Sequence, residues 1–94
     1  MKQLPIELKK NSYTYRQLER TESKAIYEQR MGNKIIAYEV FLIKSHDGYT
    51  LAGNYIEPAE TYPHNEAFGV SAWTVMPLAR AMEKYTNLCT EKPN

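Results

Sequence analysis

The residues of this chain with the most chemistry in them are two histidines, one cysteine and scattered carboxylates. His46 is followed by Asp47, the pairing of a general base with a group that could orient it. Neighbouring residues in a turn point apart, however, and Asp47-Gly48 is itself good turn chemistry. No serine or cysteine stands at a spacing that completes a nucleophilic triad with His46. His64 lies between Glu60 and Glu66, and an imidazole with two carboxylates can ligate zinc or a related cation. That set is sparse beside the usual spacing of metal ligands, and a surface histidine in a capped turn accounts for it. Cys89 follows the end of an amphipathic segment, where a helix C-terminus would raise a thiol's pKa and blunt it as a nucleophile. The glycines form neither GxGxxG nor GxxxxGK[ST], which removes the familiar phosphate-cradling loops. The expectation is therefore no enzyme, no metal and no cofactor. A small hydrolase built on His46 or His64 is the weakest of three functional readings.

Recognition is better represented than catalysis. The chain has eight tyrosines and one tryptophan, and six of the tyrosines precede Tyr62. Tyrosine suits half-buried strand positions, with its ring packed and its hydroxyl wet, and it is also favoured at binding surfaces. Arg16, Arg20, Lys24, Arg30 and Lys34 interleave with these rings. A basic sheet with aromatics can hold single-stranded nucleic acid or lie in a major groove. Residues 1–47 carry 9 Lys/Arg against 6 Asp/Glu, and residues 48–94 carry 3 against 5. Glu19, Glu22, Glu28 and Glu39 lie among the cations and weaken the polyanion case. The overall formal charge of +1 names no partner.

These residues must be positioned by a sheet and one helix. Ser12–Arg20 alternates Tyr13, Tyr15 and Gln17 against Thr14, Arg16 and Leu18, a strand pattern. Lys24–Arg30 and Lys34–Lys44 read as a hairpin around Gly32-Asn33, a loop tolerant of positive φ. A regular ladder from that loop sets Tyr27 opposite Tyr38, Ala25 opposite Val40 and Gln29 opposite Ile36. The predicted core face then holds Ala25, Tyr27, Ile36, Tyr38, Val40 and Leu42. The Phe41–Ile43 end of the other face is too apolar to stay wet, so the N-terminal arm, the following loop or a partner should cover it. Tyr49–Glu60 reads either as a second small hairpin, Tyr49–Ala52 with Tyr55–Glu57 around Gly53-Asn54 and ended by Pro58, or as an irregular excursion. Asn65 is placed to cap a short turn ended by Gly69, and Val70–Val75 alternates as a last strand. Pro77 suits the first turn of a helix running to Leu88, with Leu78, Ala81, Met82, Tyr85 and Leu88 on one stripe.

At 94 residues the chain is one small domain with room for a single core. The expected organisation is an N-terminal arm or edge strand over 1–11, an α+β domain over 12–89 and a frayed tail over 90–94. The expected fold is an antiparallel sheet of about four strands with one C-terminal helix on the Tyr27/Tyr38/Val40 face. One cysteine excludes a disulfide within the chain. No secretory leader pattern opens the sequence, and no apolar run approaches the ~20 residues of a membrane helix. The expectation is a cytoplasmic protein without a membrane partner.

The order of residues resembles a group of short uncharacterised proteins carried by phages and other mobile elements of gut bacteria. The resemblance rests on Ala25-Ile26-Tyr27-Glu28, Tyr38-Glu39-Val40-Phe41, Tyr62-Pro63 with Asn65-Glu66 and Phe68-Gly69, and Ala72-Trp73-Thr74 before a helix with Ala81 and Tyr85. It covers Ala25–Leu88 and transfers no activity and no functional residue. It implies a cytoplasmic accessory protein that binds a host or phage macromolecule.

The leading expectation is a non-enzymatic interaction module with a protein partner, or with a second copy of itself as a homodimer. The alternative is nucleic-acid binding through the basic N-terminal sheet. The contact residues expected from these two readings are Arg16, Arg20, Lys24, Arg30, Lys34, Phe41, Tyr49 and Tyr55.

Overall fold

The computed structural model describes residues 1–88; Cys89 and the expected tail over 90–94 lie outside the described residues. Strands β1 (Glu7–Lys10), β2 (Tyr13–Arg20), β3 (Lys24–Met31) and β4 (Lys34–Leu42) run first. Four short strands follow: β5 (Lys44–His46), β6 (Tyr49–Leu51), β7 (Asn54–Ile56) and β8 (Ala59–Thr61). A single 3-10 turn (Asn65–Ala67) leads to β9 (Ala72–Val75) and helix α1 (Leu78–Asn87). The main sheet is antiparallel and five-stranded, in the order β1-β2-β3-β4-β9, with α1 packed on β3, β4 and β9. The α+β class and the single C-terminal helix are as the sequence implies.

The register of the central hairpin differs from the regular ladder, and the difference reorganises both faces. At the loop the expectation is met: Met31 pairs Lys34 across Gly32-Asn33, and Gly32 has φ 61°. A bulge then shifts the pairing between Gln29 and Arg30, so Arg30 faces Ile35 while Gln29 faces Ala37. Ile36 is the extra residue. Because side chains alternate with period two, a slip of one residue exchanges the faces of everything beyond it. Tyr27 therefore lies opposite Glu39, Ala25 opposite Phe41, and Ile26 opposite Val40. The expected core face of Ala25, Tyr27, Tyr38 and Val40 is split in two.

One face becomes an aromatic core of Leu4, Tyr15, Ala25, Tyr27, Phe41 and Ala72, with Tyr62, Phe68 and Ile43 packed against it. The other carries Ile26, Tyr38 and Val40 under Ala81 and Tyr85 of α1. The helix thus sits on the Ile26/Tyr38/Val40 face, not on a face shared with Tyr27. Its expected stripe is trimmed at the start: Leu78 is 43 % exposed, while Ala81 and Tyr85 are buried and Met82 and Leu88 half-buried. Pro77 precedes the helix as its N-cap rather than joining the first turn. Its carbonyl accepts the N–H of Arg80 and of Ala81.

The N-terminal arm belongs to the domain. β1 is an edge strand, Leu4 is buried, and Lys2 bridges Ala59. This arm and the segment Tyr62–Phe68 cover the Phe41–Ile43 end. The arm is held by a mostly buried ion pair. Arg20 donates from Nη1 and Nη2 to the two Glu60 oxygens at 2.6 and 2.9 Å, and the Leu4 N–H donates to Glu60 Oε1 at 2.9 Å. The excursion Tyr49–Glu60 is ordered as β-structure: β5 pairs β8, and β6 pairs β7 beyond it. Its turn is Ala52-Gly53, with φ 51° and 82°, one residue earlier than the Gly53-Asn54 expectation. Positive φ at both central residues is the type I′ pattern that suits a tight two-residue hairpin. Asn65 lies inside the 3-10 turn and caps nothing with its side chain; His64 holds the cap position.

Two outcomes follow from this packing. Deleting Ile36 turns the bulge into a regular ladder that keeps every pair from Gln29 with Ala37 onward, so the variant should retain its cooperative thermal transition; loss of that transition refutes the register argument. Arg20→Ala should cost about 1.5–3 kcal/mol in urea unfolding at neutral pH, the worth of hydrogen bonds to a charged group. The Arg20 hydrogen bond holds the Glu60 carboxyl below its ordinary range. The stability is therefore present above the unfolded-state pKa and is lost as pH falls through the folded one. Parent and variant should converge in acid.

Candidate functional site

Two features of the described residues stand apart from plain packing. The first is a polar hollow on the aromatic face. β4 carries Glu39 between Tyr27 on β3 and Thr74 on β9, so all three side chains share that face. Glu39 is only 7 % exposed. Tyr62 supplies its main partner: the hydroxyl donates to Glu39 Oε1 at 2.6 Å, while Thr74 Oγ1 lies 3.5 Å from Oε2. Tyr62 is also the hub of the aromatic core, its ring centroid 4.9 Å from Phe41, 5.2 Å from Tyr27 and 5.4 Å from Tyr15.

Burial raises the Glu39 carboxyl above its ordinary pKa, opposed by the Tyr62 hydrogen bond and by the charge of Lys10. Burial, then the neighbouring Glu39, pushes the Tyr62 hydroxyl far up, so it stays a proton donor. The ion pairs among the described residues are Arg20–Glu60 and Arg30–Glu28, so Glu39 takes part in neither. Beside it opens a hollow of about 340 Å³, with Tyr15 and Glu39 at its buried end and Tyr13, Phe68, Gln29 and Lys10 around it. Gln29 Nε2 donates to the Tyr15 hydroxyl at 3.0 Å and fixes that wall.

The second feature is the hairpin β6–β7. Tyr49, Leu51 and Tyr55 are 46, 62 and 65 % exposed. The pairing Tyr49 with Ile56 and Leu51 with Asn54 sets Tyr49, Leu51 and Ile56 on one side, and Thr50 with Tyr55 on the other. Tyr55 folds back so that its hydroxyl lies over Gly48, where any Cβ would collide with it. The ring of His46 meets that of Tyr49 edge-on at 5.4 Å. His46 also bonds the Asp47 carbonyl through Nδ1 at 2.9 Å, so His46 and Asp47 do not form a base and its orienting carboxylate.

The structure separates the residues expected to contact a partner. Tyr49 and Tyr55 both lie on the hairpin, on opposite faces of it. Phe41 is fully buried in the aromatic core and offers no surface to a partner. Arg20 is taken by Glu60, and Arg30 by Glu28 at 2.6 Å. Lys24 caps the end of α1, donating to the Tyr85 carbonyl at 2.8 Å and lying 4.8 Å from the Tyr85 ring centroid. Arg16 is exposed but sits between Glu7 and Glu28 in the ladder. Lys34, at the hairpin loop, is exposed. Trp73 packs on the helix side under Lys84, whose Nζ is 4.0 Å from the ring centroid. Glu60 is committed to Arg20, and no cluster of three metal-ligating side chains occurs among the described residues. No described helix is long and apolar enough to cross a membrane.

Glu39 was not among the expected site residues. Its one signal in the sequence is a single carboxylate inside the apolar run Tyr38–Ile43, and the regular ladder assigned it to the mixed face. Comparison with protein-family models, with curated proteins and with solved structures finds no match to the chain.

Because the folded state favours protonated Glu39, stability should fall as pH rises from the unfolded-state pKa through the raised folded one. Glu39→Gln removes that cost while keeping the acceptor for Tyr62. Its thermal midpoint should therefore exceed the parent's at neutral pH, with the gap closing in acid. A lower midpoint at neutral pH refutes the assignment of Glu39 as a carboxylate held at a cost.

Proposed function

We propose that this chain is a non-enzymatic binding module that engages a protein partner through the hairpin β6–β7. The observation that carries the reading is the exposure of Tyr49 and Leu51 on one face of a short hairpin, and of Tyr55 on the other, with the hairpin's principal contacts within itself. Large apolar side chains gathered on a surface are costly in water and mark recognition sites, and aromatic residues are enriched among those that contribute most to binding. Among the described residues β6 and β7 pair only with each other, so each keeps an outer edge of backbone donors and acceptors. The partner that fits is a protein with an apolar groove or an open strand edge, which would add to this ladder while its pockets take alternate side chains. The resemblance to mobile-element proteins supplies the setting, an accessory protein acting on a host or phage macromolecule.

Nucleic-acid binding draws less support, because Arg20, Lys24 and Arg30 have partners inside the fold. The two readings separate experimentally. A photo-crosslinking amino acid at Leu51 should give a discrete protein adduct in cells, and the same probe at Arg80 on the helix should not. The adduct should vanish in the double variant Tyr49→Ser, Tyr55→Ser, whose stability should lie within about 0.5 kcal/mol of the parent because both positions are exposed. Equal adducts from both probe positions, or none, overturn the proposal. Oligonucleotide affinity that falls steeply with salt would instead favour the basic sheet.

A further inference from the structure

The polar hollow beside Glu39 has no part in the hairpin proposal, yet its lining is unusual for a mere surface dent. Its buried end is a carboxylate with an incomplete set of partners. Tyr62 satisfies Oε1, but Oε2 has only Thr74 Oγ1 at 3.5 Å, the outer limit of a hydrogen bond. Thr74 also lines the hollow, so the under-used oxygen lies on its side. Aromatic side chains Tyr13, Tyr15 and Phe68 stand around that end. A buried carboxylate flanked by aromatic rings favours an ammonium group, by a charge-assisted hydrogen bond and by attraction to the ring faces.

The same hollow also carries a cation. Lys10 lines it, and its Nζ is held only loosely, 3.5 Å from the Pro63 carbonyl and 5.5 Å from the Tyr62 ring centroid. A simple amine entering the hollow would be repelled by Lys10, and a simple acid would be repelled by Glu39. A ligand bearing both charges, each facing its opposite, is attracted at both ends. The hollow is open to solvent, and its volume of about 340 Å³ is near the lower bound of small-molecule sites, roughly 300 Å³. That suits one small molecule rather than a peptide.

We propose that this hollow binds a small zwitterion of the free α-amino-acid class, with its ammonium group on Oε2 of Glu39 and its carboxylate on Nζ of Lys10. The site is independent of the hairpin, so either proposal can fail without the other.

The test is a titration of the ¹⁵N-labelled full chain, followed by its amide resonances. The probes are the proteinogenic amino acids and, for each that binds, the matching decarboxylated amine and deaminated acid. At least one amino acid should shift the amides of Lys10, Glu39 and Thr74, and its amine and acid counterparts should bind about tenfold more weakly or worse, the loss of one charge-assisted contact. Glu39→Gln should weaken the amino acid about tenfold or more, with its fold checked by thermal melting. Lys10→Met, a substitution at the half-buried rim, should also weaken the amino acid and narrow its advantage over the amine. The hairpin double variant should bind it unchanged. No shift with any amino acid, equal affinity for the amine, or undiminished binding by Glu39→Gln overturns the proposal.

Discussion

One unpaired residue in the second arm of the central hairpin decides which side chains meet. Past Ile36, β4 is one residue out of step with the ladder set by the Gly32-Asn33 loop. Phe41 and Glu39 are thereby delivered to the side of Tyr27, and Tyr38 and Val40 to the side of Ile26. Each face then has a coherent partner: the helix for the aliphatic side, and the N-terminal arm with Tyr62 for the aromatic side. Without the slip, the Tyr27 side would gain Tyr38 and Val40 and the opposite side would be left with Phe41 beside Glu39. A bulge of this kind replaces one ladder step with two correctly sorted surfaces.

The longer elements were readable from residue types, whereas the short pair β5 and β8 was not. Alternation over Tyr13–Arg20, the Gly-Asn loop, the spacing of Ala81, Met82 and Tyr85 and the turn at Gly69 all depend on local chemistry, which a sequence displays. Pairing partners are different. Nothing in Gln29-Arg30-Met31 or Lys34-Ile35-Ile36 announces that Ile36 will be looped out, because both registers offer apolar contacts at every step. The choice is made by the layers on either side, through Tyr62 and α1, which are distant in the chain. The candidate site shared this fate. Tyr49 and Tyr55 sit on a hairpin that Gly53 left open as one of two readings, with its turn one residue from the place expected, whereas Glu39 became visible only once the register put it opposite Tyr27. The basic residues, all present in the composition, turned out to have different employments: one salt bridge to β8, one within β3, and one cap on the helix.

Tyr62 unites the two halves of the aromatic face. Its ring fills the gap between Phe41, Tyr27 and Tyr15, while its hydroxyl reaches the buried carboxylate. A phenylalanine would pack as well but would leave Glu39 without its strongest donor; a smaller polar residue would donate but leave a void. The position therefore asks for a side chain that is oily along its length and protic at its tip, which tyrosine supplies. The same bond explains how an acid can lie within an aromatic layer at all, since a buried polar group is tolerated only where it has a partner.

The opening residues deserve a practical reading. Lys2 donates its N–H to the Pro58 carbonyl and accepts the N–H of Glu60, and Met1 and Lys2 border the same open depression as Tyr55 and Pro58. The amino terminus therefore emerges at the foot of the hairpin rather than at a neutral corner. An affinity handle or fluorescent fusion attached ahead of Met1 would be planted beside Tyr55 and would crowd whatever approaches that tyrosine.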